Sequence, residues 1–174
     1  MAAIDKAYKD GLNCLPAGIK DAFLKRLSAA DIEEVFRERK PSVPMILVGA
    51  GTCGLATGAG RTLEAVRKYL ADRKIAAEVV EVGCVGFCAM EPLVDVWLPG
   101  RNRIAFHKIT ADRVPALLDA VFSGGVTPEM TLGQYHGEDQ GWENIPYLND
   151  HPFFKKQVKN VLKNCGVISP VNIS

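Results

Sequence analysis

Met45-Ile46-Leu47-Val48-Gly49-Ala50-Gly51-Thr52-Cys53-Gly54 is a short apolar run that breaks into glycines around a cysteine. Met45 to Val48 is wholly apolar, as a strand buried on both faces would be. The glycines after it let the backbone turn sharply and come close to its neighbours. A second cysteine-bearing turn follows further on, Val82-Gly83-Cys84-Val85-Gly86-Phe87-Cys88-Ala89-Met90-Glu91-Pro92. The first stretch admits two readings. It cradles a dinucleotide phosphate, or it presents one thiolate of a metal cluster that the second stretch completes.

The intervening and following residues set the fold. Leu63, Val66, Tyr69 and Leu70 share one helical face from about Gly60 to Arg73, and the valine-rich Ala77 to Val82 reads as the next strand. This is a strand–helix–strand unit with parallel strands and a right-handed crossover. Leu93-Val94-Asp95-Val96-Trp97-Leu98 and Arg103-Ile104-Ala105-Phe106-His107 then flank Pro99-Gly100-Arg101-Asn102, the pattern of an antiparallel hairpin. A further helix, capped near Thr110 or Asp112, turns Val114, Leu117, Leu118, Val121 and Phe122 inward, with Pro115 in its first turn and Ser123-Gly124-Gly125 at its end. The order β-α-β, then β-β-α predicts an α/β fold of thioredoxin-like layout, a small mixed sheet with helices on its faces, over residues 43–125.

Both flanks read differently. Residues 1–42 form a helical N-terminal extension, with Ile19, Ala22, Phe23 and Leu27 at helical spacing and a cap at Ser28-Ala29-Ala30-Asp31 before a second helix that buries Ile32, Val35 and Phe36. Pro41 and Pro44 mark the boundary. Residues 126–174 read as an aperiodic connector containing Tyr135, Trp142 and Tyr147, then a helix opening at Asp150-His151-Pro152. That helix turns Phe154, Val158, Val161 and Leu162 inward and Lys155, Lys156, Lys159 and Lys163 to water, and Gly166 ends it.

The chain of 174 residues is 48% hydrophobic and 24% charged, the balance of a globular domain with appendages. A formal net charge of +1 gives no general attraction to nucleic acid or to an anionic membrane. No apolar run reaches the roughly 18–20 residues of a membrane span, and no signal pattern opens the chain, so the expected location is cytoplasmic. In a reducing compartment the cysteines at 14, 53, 84, 88 and 165 are not a disulfide framework, and the clustered ones are candidate metal ligands or redox thiols. Cys14 reads as an ordinary thiol.

Gly49-Ala50-Gly51-Thr52-Cys53-Gly54 satisfies G-x-G-x-x-G, and Glu78 or Glu81 lies where a ribose-binding acid is wanted. Against a dinucleotide site, the chain turns at once into an antiparallel hairpin, and Leu55 to Gly60 is extra loop where the helix should begin. Cys84-x-x-x-Cys88 has one residue more than a redox C-x-x-C pair. It suits a loop wrapped around one iron, with backbone N–H groups toward the cluster and Cys53 on the neighbouring loop serving the second iron.

Gly51-Thr52-Cys53-Gly54, together with Val82 to Val94, resembles the thioredoxin-like [2Fe-2S] ferredoxin domain at the amino end of the NADH-binding flavoprotein subunits of NADH dehydrogenase-like enzymes and multimeric hydrogenases. His151-Pro152-Phe153-Phe154-Lys155-Lys156-Gln157 and Asn164-Cys165-Gly166-Val167-Ile168 resemble that family's connector to its flavin- and NADH-binding domain. The resemblance implies an electron-transfer or accessory domain with Cys53, Cys84 and Cys88 as iron ligands and Gly51, Thr52, Gly54 and Gly86 lining the cofactor. It also implies partners among the other subunits of an NADH dehydrogenase-like or hydrogenase-like complex, with no nucleic acid and no direct membrane span. FMN, NAD and a [4Fe-4S] cluster belong to the part of such a subunit that this chain lacks. The chain therefore reads as a fragment or as one gene of a split subunit, without a complete active site of its own.

Two features depart from the family. Its cluster pattern places a cysteine five residues before Cys53, where this chain has Val48, so three of four thiolates are present. Cys14, Cys165, a hydroxyl oxygen or another subunit's thiolate are the candidates to complete the set. The alternative functions are a cofactor-free thioredoxin-like module that docks subunits and, more weakly, a dinucleotide-binding fragment.

Overall fold

The computed structural model describes residues 41–159, 162 and 165–167. The chain passes through β1 (Met45–Gly49), α1 (Thr52–Ala56), α2 (Ala59–Asp72), β2 (Glu78–Val82), β3 (Val94–Trp97), β4 (Ile104–Phe106), α3 (Val114–Phe122) and β5 (Thr131–Gln134). Short 3-10 turns occupy Cys88–Met90, Pro128–Met130 and Leu148–Asp150. The strands make one mixed sheet in the order β2-β1-β3-β4-β5. β1 and β2 are parallel, with Gly49 opposite Val82, whereas β3, β4 and β5 each run antiparallel to the strand before them in the sheet. The expected α/β layout, β-α-β then β-β-α in a mixed sheet, is the one observed. Among the described residues no second parallel βα unit follows β2, so the sheet lacks what a dinucleotide fold needs.

Side-chain alternation divides the sheet into two faces. On one, Ile46, Val48, Val94, Val96, Ile104 and Phe106 are all wholly buried, and α2 and α3 pack over them with Leu63, Val66, Leu70, Val114, Leu117, Leu118 and Val121. Each such side chain gains about 1.5–3 kcal/mol by leaving water. Two polar clasps hold the helical layer. The Thr62 hydroxyl donates to the Ile109 carbonyl at 2.7 Å, and the Tyr69 hydroxyl donates to Asp119 at 2.8 Å, where Arg73 also reaches.

The other face holds a smaller cluster of Leu93, Ala105, Leu132, Leu148 and Phe154. Its cover, among the described residues, is irregular chain. Asp95 and Arg103 form a buried ion pair there, with Arg103 Nε 2.9 Å from Asp95 Oδ2, and the Tyr135 hydroxyl donates to the same oxygen at 2.9 Å. Burial first, and then the Asp95 charge, hold the Tyr135 phenol well above its usual pKa. Arg103 also donates to the Gly166 carbonyl, which ties the turn at 165–167 to the sheet.

Several expectations need correction. The stretch read as an aperiodic connector contains β5, which pairs with β4. Gly133 and Gln134 are weak strand formers, but Gln134 is buried and fully engaged: Nε2 donates to the carbonyls of Trp142 and Ile145, and Oε1 accepts the Trp142 N–H. The helix expected from Asp150 is absent from the described residues. Residues 151–156 form turns, Val158 is 85% exposed instead of inward, and only Phe154 is buried as expected. Ring contacts account for this, since Phe153 stacks on Phe87 at 4.0 Å and Phe154 meets both edge-on. Lys159 is half-buried, with its ammonium over the Phe154 ring, and burial lowers its pKa.

Two further points concern helix starts. Leu55 to Gly60 is not free loop: α1 occupies its beginning, and Gly58, at φ 104°, makes the break before α2. α3 begins later than Thr110 or Asp112, with Arg113 in the cap position and no side-chain cap, although Pro115 does sit in its first turn. The expected helices of residues 1–40 with their cap at Ser28 to Asp31, Cys14, and Val161 and Lys163 lie outside the described residues. Among the described residues no helix is long and apolar enough to cross a membrane.

Candidate metal centre

Because β1 and β2 are parallel neighbours, their carboxyl ends deliver the two cysteine loops side by side. The Ala50 N–H donates to the Val82 carbonyl at 2.9 Å and locks the loop bases together. Gly51 then passes so close to the second loop that a Cβ on it would lie 2.8 Å from the Cys84 Cβ. Any side chain there would push the loops apart. Cys53 follows in the first turn of α1, and Thr52 heads that helix, exposed. Gly54 is buried, and a Cβ on it would meet the Gly49 carbonyl oxygen at 2.2 Å. Its smallness is thus required by the packing of α1 on the end of β1.

The second loop wraps its own sulfur. Gly86, at φ 93°, turns the chain so that its N–H donates to Cys84 Sγ at 3.3 Å. Cys84 Sγ and Cys88 Sγ lie 3.8 Å apart. Burial is the largest influence raising the Cys84 pKa, and the neighbouring Cys53 thiol is the largest raising that of Cys88. Cys88 is exposed, while Cys53 and Cys84 are half-buried. The three sequence-predicted thiols therefore share one rim, with Gly51 and Gly86 serving the loop around them.

Val48 lies elsewhere. It is wholly buried in the helix-covered core, opposite Glu81 on β2 and Val94 on β3. Cys165 is near the rim but behind it: a Cβ on Gly83 would lie 3.5 Å from its sulfur, and the thiol opens into a cavity of about 270 Å³ lined also by Val85, Tyr135, Leu148 and Lys159. One residue of the motif acquires a role that its spacing did not suggest. Glu91, before the cis bond to Pro92, is buried, and its Oε2 accepts the Leu93 N–H at 2.8 Å. Burial raises its pKa.

Among the described residues, no group of three or more His, Cys, Asp or Glu side chains is gathered closely enough to hold a single metal ion. A two-iron cluster spreads its ligands over two metals. Three soft thiols on one rim, with a backbone N–H already directed at one sulfur, are the donor chemistry such a cluster takes.

No protein-family model matches the chain. The NADP-reducing hydrogenase subunit HndB of Solidesulfovibrio fructosivorans is 28% identical over 75 residues, which is 42% of this chain and 60% of that protein. The chain thus spans about 60% of the length of the curated relative it matches. Among solved structures, a thioredoxin-like [2Fe-2S] ferredoxin from Aquifex aeolicus aligns with a TM-score of 0.47 at 14% identity, over 55% of this chain and 96% of that one. Its wild-type form determined separately gives 0.46 at 13% identity, over 53% and 98%. The chain resembles the thioredoxin-like [2Fe-2S] ferredoxins. The strand order and element order described above carry the fold assignment independently of these alignments.

Proposed function

We propose that this chain is an electron-transfer domain of a multisubunit oxidoreductase of the NADH dehydrogenase-like or hydrogenase-like kind, holding a [2Fe-2S] cluster through Cys53, Cys84 and Cys88. The observation that carries the reading is the convergence of these three thiols on one rim, from two loops that a parallel strand pair holds together. The relative named as a hydrogenase subunit supports the setting. When bound, the cluster would supply one-electron transfer. The chain's own residues do the rest. Gly51 permits the loops to touch, Gly86 directs an N–H at the Cys84 sulfur, and exposed Cys88 marks the side from which electrons would enter or leave. The functional unit is residues 43–125 with β5 added from the following segment. Its partners are the other subunits of such a complex.

One observation favours a second reading, a cofactor-free module that docks subunits. Val48, wholly buried in the core, stands where the resemblance wants the first cysteine. Anaerobic purification of the full chain, followed by reconstitution with iron and sulfide, separates the two. Iron–sulfide charge-transfer absorbance with about two irons per chain is the expected result. A folded, colourless, iron-free protein after reconstitution overturns the cluster and leaves the docking module.

A further inference from the structure

Glu91 is the unexplained acid of the site. It is 6% exposed, and among the described residues no cation pairs with it. Its Oε2 is satisfied by the Leu93 N–H, but its Oε1 is buried without any hydrogen-bond partner. An unsatisfied carboxylate oxygen in such a place is costly, and asks for a partner that the polypeptide itself does not supply. Asp95, the other buried acid, shows the contrast, because Arg103 and Tyr135 both serve it.

The position of this carboxyl is set from both loops. A Cβ on Gly49 would lie 3.1 Å from Oε2 and 3.5 Å from Oε1, and a Cβ on Gly54 would lie 3.3 Å from Oε2. The carboxyl is therefore wedged beneath the glycine turn that presents Cys53, with Cys84 among the neighbours that act on it. Glycine at 49 and 54 leaves the room that the carboxyl fills.

We propose that the Glu91 carboxylate is the fourth protein ligand of the site, completing a Cys53, Cys84, Cys88 and Glu91 set in place of the thiolate that Val48 cannot provide. The inference rests on the cluster reading above. Binding releases the protons of the three thiols and requires Glu91 ionised, so the orphaned oxygen gains a metal partner. One oxygen and three sulfurs would set the site apart from an all-thiolate one, since oxygen is the harder donor.

The test uses the full chain, reconstituted anaerobically with iron and sulfide, in the wild type and in Glu91→Ala, Glu91→Gln, Glu91→Cys and Cys165→Ser forms. Iron per chain, visible absorption and the electron paramagnetic resonance of the reduced protein are read, with far-ultraviolet circular dichroism as the check on folding. Glu91→Ala and Glu91→Gln are expected to lose iron, and Cys165→Ser to match the wild type in every reading. Glu91→Cys is expected to keep iron while its charge-transfer bands and resonance move to new positions, and this variant carries the test if the others fail to fold. Unchanged iron and spectra in all three Glu91 variants, or loss of iron in Cys165→Ser, overturn the assignment of Glu91 while leaving the cluster standing. A wild type that takes up no iron overturns the cluster reading and this inference with it.

Discussion

The sheet face that carries Ile46, Val96, Ile104 and Phe106 is roofed by two helices, whereas the face that carries Asp95 and Ala105 is roofed by irregular chain. The helical roof is held by apolar area spread over many side chains, so no one contact decides it. The irregular roof is pinned at a few points: the Asp95–Arg103 pair, the Arg103 guanidinium over the Tyr135 ring at 4.5 Å, the bond from Arg103 to the Gly166 carbonyl, and the stack of Phe153 on Phe87. A cavity of about 270 Å³ remains beneath it. One of the pins, Phe87, sits between Cys84 and Cys88. The face with the sparser cover is therefore the one coupled to the thiol loop, and the stability of that loop depends on few contacts.

The comparison breaks most readily at its strongest point. Phe106→Ala empties a wholly buried site under both helices and is expected to cost about 3–5 kcal/mol, read as a lower midpoint in urea unfolding. A cost under about 1 kcal/mol would mean that the helical roof does not carry the fold. On the other face, Asp95→Ala strands the Arg103 guanidinium in a buried setting and is expected to cost about 3 kcal/mol. The double variant Asp95→Leu with Arg103→Met removes both charges and is expected to recover much of that loss. If the single variant were as mild as breaking a surface pair, about 0–1 kcal/mol, the ion pair would not be one of the pins.

The two faces also differ in how legible they are. Leu63, Val66 and Leu70 repeat at the helical period, and Met45 to Val48 is too short and too apolar for anything but an inner strand, so the helical face and the sheet order follow from pattern. That the two cysteine loops lie together follows from the parallel pairing of β1 and β2. The irregular face has no such period. β5 hides behind Gly133 and Gln134, whose buried positions depend on Leu148, Trp142 and Ile145 arriving from later in the chain. Phe154, Val158 and Leu162 imitate helical spacing, but the ring contacts of Phe153 and Phe154 with Phe87 override it. Glu91 was visible only as a charge inside an apolar motif. Its burial, and the orphaned oxygen, arise from the packing of its carboxyl against Gly49 and Gly54, which no local pattern encodes.

The smallest expected effect sharpens the link between the irregular roof and the site. Phe153 stacks on Phe87 with nearly parallel rings, and its backbone N–H donates to His151 Nδ1 at 3.1 Å. Phe153→Ala keeps that backbone bond but removes the ring, which is worth about 0.5–1.5 kcal/mol beyond its buried area. Because Phe87 also meets Phe154 edge-on and His151 at a tilt, the loop would not unfold, but it would open more often. In the metal-free reduced protein, alkylation followed by mass spectrometry should therefore show Cys84 and Cys88 modified several-fold faster than in the wild type. Cys53, carried by α1 on the other loop, should change less. Equal acceleration at all three thiols would point to loss of global stability, and no acceleration at Cys84 and Cys88 would sever the roof from the site.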